Sequence, residues 1–222
     1  MGKKRKTLAG ANLMLHEIEP LTQNQLKAFE SEKHLMLHGV AGSGKTFISC
    51  YLAFDDMSLG EYEKLVIIRS AVPTREIGFL PGNEKEKASV YEEPYKAIAT
   101  ELFDRGDAYE ILKTKGLVHF MTTSFIRGIT LSHAIILIDE CQNMTFHELD
   151  SLITRVGQGC RIIFCGDFRQ SDVPERESGL QKFVRVLKAT GEFDFVDFEV
   201  KDIVRSGLVR KYIKAKLELG LE

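Results

Sequence analysis

Four apolar runs punctuate the chain: Leu35-Met36-Leu37, Leu65-Val66-Ile67-Ile68, Ala134-Ile135-Ile136-Leu137-Ile138 and Arg161-Ile162-Ile163-Phe164-Cys165. Each is of strand length and, past the leading Arg161 of the last, apolar without a break, which reads as a buried strand. Leu117-Val118-His119-Phe120-Met121 is a further strand, and residues 193–198 alternate apolar and polar as a half-buried one does. The intervening segments carry helical spacing. Thr22 is placed to cap a helix opened by Pro20, with Leu26 and Phe29 as its buried face. Residues 47–52, 92–103 and 108–113 follow, and then 146–156, where Phe146, Leu149, Leu152 and Ile153 share a face. Residues 180–187 and a closing amphipathic stretch, 203–217, complete the set. Two glycines and two prolines between Val72 and Gly82 mark a loop. Strands alternating with helices predict an α/β domain with a mainly parallel sheet flanked by helices. Residues 1–19 are expected to be weakly ordered and 20–222 to form one domain, without repeats or a linker.

The chemistry begins where the first buried strand ends. Gly39-Val40-Ala41-Gly42-Ser43-Gly44-Lys45-Thr46 fits G-x-x-x-x-G-K-[ST] at every fixed position. Its glycines let backbone N–H groups turn inward toward phosphate oxygens. Lys45 can reach the β/γ-phosphates, and the Thr46 hydroxyl can ligate Mg²⁺. The helix that follows aims the positive end of its dipole at the same anion. The expected ligand is a nucleoside triphosphate.

In open α/β sheets, ligands gather outside the carboxyl ends of the strands. The strand 134–138 ends in Asp139-Glu140, an acidic pair suited to hold Mg²⁺ through Asp139 and to polarise an attacking water through Glu140. The next strand leads to Gly166-Asp167-Phe168-Arg169-Gln170, where the Gln170 amide can bond the γ-phosphate or that water. The Gln25 amide can pair with adenine N6/N7, although a surface glutamine on a helix has the same local sequence. Arg205 can stabilise a transferred phosphoryl group and is equally consistent with a helix-surface arginine.

Composition adds limits. The 222 residues carry a formal net charge of −2, which argues neither for nor against a nucleic-acid partner. No run approaches the roughly 20 apolar residues of a membrane span. Lys3-Lys4-Arg5-Lys6 lacks a following apolar signal core and reads as a solvated tail. Cys50, Cys141, Cys160 and Cys165 form no C-x-x-C pair, so reduced structural thiols and a cytoplasmic location are expected, without a zinc site.

With these residues assembled, the chain resembles the PhoH family, phosphate-starvation-inducible ATPases of bacteria and many of their viruses. Members are similar to the first motor domain of superfamily 1 helicases, a P-loop NTPase of RecA-like fold. The resemblance spans roughly 21–213. It rests on Ile77-Gly78-Phe79-Leu80-Pro81-Gly82, Arg127-Gly128, Ile138-Asp139-Glu140-Cys141-Gln142-Asn143-Met144-Thr145, Gly166 to Gln170, and Asp202-Ile203-Val204-Arg205. Cys141 replaces the usual alanine. The resemblance implies a Mg²⁺-dependent ATPase in which Gln25 reads adenine and Gln170 senses the γ-phosphate. It further suggests a ring-shaped homo-oligomer such as a hexamer, with Arg205 reaching a neighbour's nucleotide. The expected partner is RNA or single-stranded DNA, with Arg69, Arg75 and the Lys85/Lys87 loop as candidate contacts, although that loop reads equally as a solvated, charge-balanced surface. An ATP-gated regulatory or assembly protein is the alternative. A small-molecule kinase fits less well, because a base beside the Mg²⁺ ligand favours water as nucleophile.

Overall fold

Successive side chains on a strand point to opposite faces, and the buried runs sort by that parity. Leu35, Leu37, Leu65, Ile67, Ile135, Leu137, Ile163 and Cys165 join one apolar core. Met36, Val66, Ile68, Ile136, Ile138, Ile162 and Phe164 join a second on the opposite face. Strands buried on both faces need helices above and below, and a parallel sheet provides them through its crossovers.

The computed structural model describes residues 5–8, 10–70, 84–126, 128–167 and 179–220. Its elements are β1 (Arg5–Leu8), β2 (Leu13–His16), α1 (Gln23–Phe29), β3 (His34–Gly39), α2 (Lys45–Ser58), β4 (Lys64–Arg69), α3 (Glu84–Phe103), α4 (Ala108–Thr114), β5 (Val118–Thr122), β6 (Ala134–Asp139), α5 (Phe146–Ile153), β7 (Arg161–Gly166), α6 (Leu180–Thr190), β8 (Phe193–Phe198) and α7 (Gly207–Glu218). Strands β3 to β8 form a six-stranded sheet in the order β5-β4-β6-β7-β3-β8, and every pairing in it is parallel. The expected α/β class with a parallel, helix-flanked sheet is what the structure has. The strand before the phosphate loop, β3, is separated from the acidic strand β6 by β7 alone. Their carboxyl ends converge on one edge of the sheet, and that convergence builds the site.

The structure corrects three local expectations. The segment 1–19 is not weakly ordered throughout, because β1 and β2 form an antiparallel hairpin. Leu8, Leu13 and Leu15 of this hairpin are buried in the first core, and Lys6 Nζ donates to Asp55 of α2 at 2.6 Å. A lone two-stranded hairpin is marginal in water; burying three leucines, each worth about 1.5–3 kcal/mol, explains why this one forms. Helix α1 is capped by Thr22 as expected, and Phe29 packs partly buried against the first core, stacked on Tyr51; its buried residues are Asn24, Gln25 and Ala28, while Leu26 is only half-buried. Finally, the closing helix begins at Gly207 and has no buried residue. Buried Ile203 belongs to the extended stretch before the helix, so the apolar signal spanning 203–217 joins two different elements.

Candidate functional site

The phosphate loop is clamped from two sides. Val40 donates its N–H to the Phe198 carbonyl of β8 at 3.0 Å, and Val204 donates to the Gly42 carbonyl at 3.2 Å. On the other side, Gln25 Nε2 donates to the Ser43 carbonyl at 3.3 Å, while its Oε1 accepts from Leu21 N–H at 2.7 Å. Each amide atom thus retains one hydrogen-bonding position. Gly39, at φ +118°, leaves no room for a side chain: a Cβ there would lie 2.7 Å from Phe198 N. Lys45 Nζ donates to the carbonyls of Gly39 and Val40, both at 2.9 Å, which holds its charge at the mouth of the loop.

Across β7, the carboxyl end of β6 supplies the acids. Asp139 is buried, with Oδ1 accepting from the Thr46 hydroxyl at 3.1 Å and Oδ2 from the Tyr95 hydroxyl at 2.7 Å. Burial raises the Asp139 pKa and the neighbouring Glu140 adds to the rise; the Tyr95 hydrogen bond, Arg69 and the Thr46 hydrogen bond oppose it. Glu140 sits in the left-handed region at φ 53°, a conformation that costs a non-glycine residue about 1–3 kcal/mol and clusters at functional sites. Its Oε2 accepts from Gln142 Nε2 at 2.6 Å, and Gln142 Oε1 accepts from Asp167 N–H at 3.1 Å. The base candidate is therefore tied to the end of β7.

These groups share one cleft of about 800 Å³, whose lining includes Gln25, Lys45, Thr46, Asp139, Glu140 and Arg205. Arg205 lies outside any helix, in the stretch before α7. Its stem runs over the loop, since a Cβ on Gly42 would meet Arg205 Cγ at 3.1 Å. The arginine thus stands on its own chain's phosphate loop. Arg69, expected at a nucleic-acid surface, also lines this cleft and lies 5.6 Å from the centre of the Tyr91 ring. Gln170, Arg75 and Arg127 lie outside the described residues, as do the Gly78–Gly82 turn and the side chains of Lys85 and Lys87.

Thr46 Oγ1 and Asp139 Oδ1 present two hard oxygens at one point, the donor type that Mg²⁺ takes with phosphate and water completing its shell. Among the described residues no group of three or more His, Cys, Asp or Glu side chains could hold a metal ion. Cys50, Cys141, Cys160 and Cys165 are free thiols; burial raises the pKa of Cys50, Cys141 and Cys165, consistent with inert packing. Cys141 packs against Gly166, where a Cβ would come within 2.7 Å of its Sγ. Among the described residues no helix is long and apolar enough to cross a membrane.

Sequence reasoning missed Tyr95. It stands forty-four positions from Asp139, and only the packing of α3 brings the two together. Residues 84–103 carry nothing that marks one tyrosine as facing a site.

Known proteins resemble the chain in sequence and in fold. A family model described as PhoH-like protein matches residues 17–216. A PhoH-like protein of Bacillus subtilis is 35% identical over 180 residues, covering 80% of this chain and 56% of the relative. Protein PhoH of Escherichia coli is 31% identical over 193 residues, covering 86% and 54%. The chain thus spans little more than half the length of these relatives. Among solved structures, the large terminase from a thermophilic bacteriophage superposes with a TM-score of 0.58 at 14% identity, covering 88% of this chain and 50% of that one. Another crystal form of that terminase, in complex with ADP, gives a TM-score of 0.55 at 14% identity, with the same coverage. Identity at that level speaks for the fold alone, a parallel α/β sheet flanked by helices.

Proposed function

Because the chain belongs to the PhoH-like protein family, we propose that it is a Mg²⁺-dependent ATP hydrolase. The observation that carries the reading is the hydrogen bond of 3.1 Å between Thr46 of the phosphate loop and Asp139 of the acidic strand, with Glu140 beside it in the same cleft. In this reading the loop N–H groups and Lys45 bind the phosphates. Thr46 and Asp139 would hold Mg²⁺, which supplies charge neutralisation on the phosphate oxygens. Glu140 takes a proton from the attacking water, and Gln142 fixes its carboxylate for that task. Gln25 retains one donor and one acceptor position for adenine. Gln170 is assigned to the γ-phosphate because β7, from which it follows, lies between the loop strand and the acidic strand.

Arg205 acts in cis. Its stem rests on Gly42 of its own loop, so charge stabilisation at the γ-phosphate needs no neighbouring subunit. A ring is then a matter of assembly rather than of completing the site. Helix α7 offers Leu208 and Tyr212, 78% and 68% exposed, as the face a second copy would cover. Coupling to RNA or single-stranded DNA belongs to the proposal through the motor-domain fold.

The test is ATP hydrolysis by the purified chain with Mg²⁺, with and without single-stranded RNA, over a range of protein concentrations. Glu140→Gln should bind ATP and turn it over at least about 100-fold more slowly; hydrolysis at the parent rate removes Glu140 as the base. A specific rate independent of concentration supports the cis arginine, and a rate that rises with concentration refutes it. RNA-indifferent turnover moves the assignment to an ATP-gated regulatory protein.

A further inference from the structure

Helix α3 reaches the Asp139 carboxylate through Tyr95. Tyr95 is 2% exposed and holds Asp139 Oδ2 at 2.7 Å, while Oδ1 faces the Thr46 hydroxyl. The two oxygens of a single carboxylate thus have separate partners on separate helices. The terminal torsion of an aspartate is broad and roughly two-fold, so the Thr46 contact alone leaves the carboxylate free to turn. A second hydrogen bond from a fixed ring removes that freedom. The ring is itself held, lying 5.9 Å between centroids from Phe120 of β5. One helical turn earlier, Tyr91 lies under the guanidinium of Arg69, whose backbone pairs with Asp139 in the sheet. Two aromatic residues therefore pin α3 to the strand ends that frame the acid.

We infer that Tyr95 is the positioning residue of the cation site: its hydroxyl orients Asp139 so that Oδ1 and the Thr46 hydroxyl face the same divalent ion. The inference rests on the Mg²⁺–ATP reading above and assigns a function to a residue outside every phosphate-loop motif. Hydrogen-bond partners behind a metal ligand commonly matter by 10- to 100-fold in affinity or activity. Removal of the hydroxyl should act on the cation and spare the nucleotide, because the Tyr95 hydroxyl donates to Asp139 and not to the loop that binds phosphate.

Tyr95→Phe tests this in the full chain, since it keeps the ring against Phe120 and deletes one oxygen. Binding of a hydrolysis-resistant ATP analogue is titrated first without divalent cation and then with increasing Mg²⁺; turnover of ATP against Mg²⁺ is measured beside it. Cation-free affinity should match the parent, the Mg²⁺ concentration giving half of the affinity gain should rise at least about 10-fold, and turnover should recover at high Mg²⁺. Lost packing alone would not produce that recovery. An unchanged Mg²⁺ midpoint overturns the inference, as does an equal loss of affinity with and without Mg²⁺. A parent chain that binds no nucleotide refutes the ATPase reading and this inference with it, and that failure is visible before any variant is compared.

Discussion

Replacing Gly39 with alanine should destabilise the domain by far more than its one methyl group suggests, and Gly60→Ala provides the scale. Both glycines have positive φ, +118° and +81°, so alanine carries a backbone penalty of about 1–3 kcal/mol at either site. They differ in what surrounds them. A Cβ on Gly60 meets nothing within 4 Å, whereas one on Gly39 would sit 2.7 Å from the nitrogen and 2.8 Å from the carbonyl carbon of Phe198. Ordinary contact is nearer 3.5–4.0 Å, so the end of β8 must retreat by about an ångström. That retreat stretches the hydrogen bond from Val40 N–H to the Phe198 carbonyl, worth about 1 kcal/mol. It also disturbs a fully buried phenylalanine, and overpacking of this kind costs about 1–3 kcal/mol. The excess of Gly39→Ala over Gly60→Ala should be about 3 kcal/mol. Urea denaturation reads it directly: at a slope of about 3 kcal/mol/M, the Gly39 variant should unfold about 1 M earlier than the Gly60 variant. Nucleotide affinity should fall with it, because the chain leaving β8 carries Val204 and Arg205 to the loop. Equal midpoints for the two variants would refute the claim that β8 closes over the loop strand.

Three further outcomes follow from named contacts. Arg205→Ala should lower turnover about 10³-fold while ATP binding persists, and adding Lys45→Ala chains with an intact Arg205 should not rescue it; rescue would mean that the arginine works between subunits. Arg161 is buried and donates to Asp56 at 2.6 Å, to the Ser31 carbonyl at 2.6 Å and to the Lys33 carbonyl at 3.1 Å, so Arg161→Met should cost about 3–5 kcal/mol by stranding Asp56; a urea midpoint unchanged from the parent would show the pair to be dispensable. Burial lowers the His34 pKa below its ordinary value, and its Nδ1 accepts from Ile162 N–H at 3.2 Å. The unfolded chain therefore takes up the His34 proton first, and stability falls as pH drops through about 6.5. His34→Asn should unfold with a shallower loss between about pH 7.5 and 5.5, and a slope equal to the parent's would discount the histidine.

The phosphate loop and the acidic pair are legible in the sequence because each is a local device. A turn between strand and helix and two acids at the end of a buried strand are written in consecutive residues. The parallel sheet is legible from the alternation of apolar runs and helical spacing. The order of its strands is not, since nothing within residues 193–198 says that β8 pairs with β3. That pairing decides what Arg205 can do, because it turns the following residues back onto the loop. The hairpin over 5–16 is hidden for a related reason: Leu8, Leu13 and Leu15 are too few to signal a strand until α2 and α3 supply a surface for them. Gln25 is legible by type and its clamp on Ser43 is not. Arg69 reads as an outward-facing cation, whereas its strand delivers it beside Asp139.

The site depends on cross-sheet contacts to hold an unfavourable backbone in place. Gly39 at the end of β3 and Glu140 just past β6 both have positive φ, which glycine adopts freely and which costs Glu140 about 1–3 kcal/mol. The Phe198 carbonyl fixes the first through Val40. The second is fixed by a chain of hydrogen bonds running from the Glu140 carboxylate through the Gln142 amide to Asp167 N–H. The ends of four adjacent strands, β6, β7, β3 and β8, are thus tied in two pairs, β6 to β7 and β3 to β8. A shift at any of their ends moves Glu140, the loop or Arg205 relative to the others. Gln142→Ala should release the Glu140 carboxylate from Asp167, leaving ATP binding intact while turnover falls toward that of Glu140→Gln. Single-turnover hydrolysis at saturating ATP measures it, and a Gln142→Ala rate equal to the parent's would show that Glu140 holds its position without the bridge.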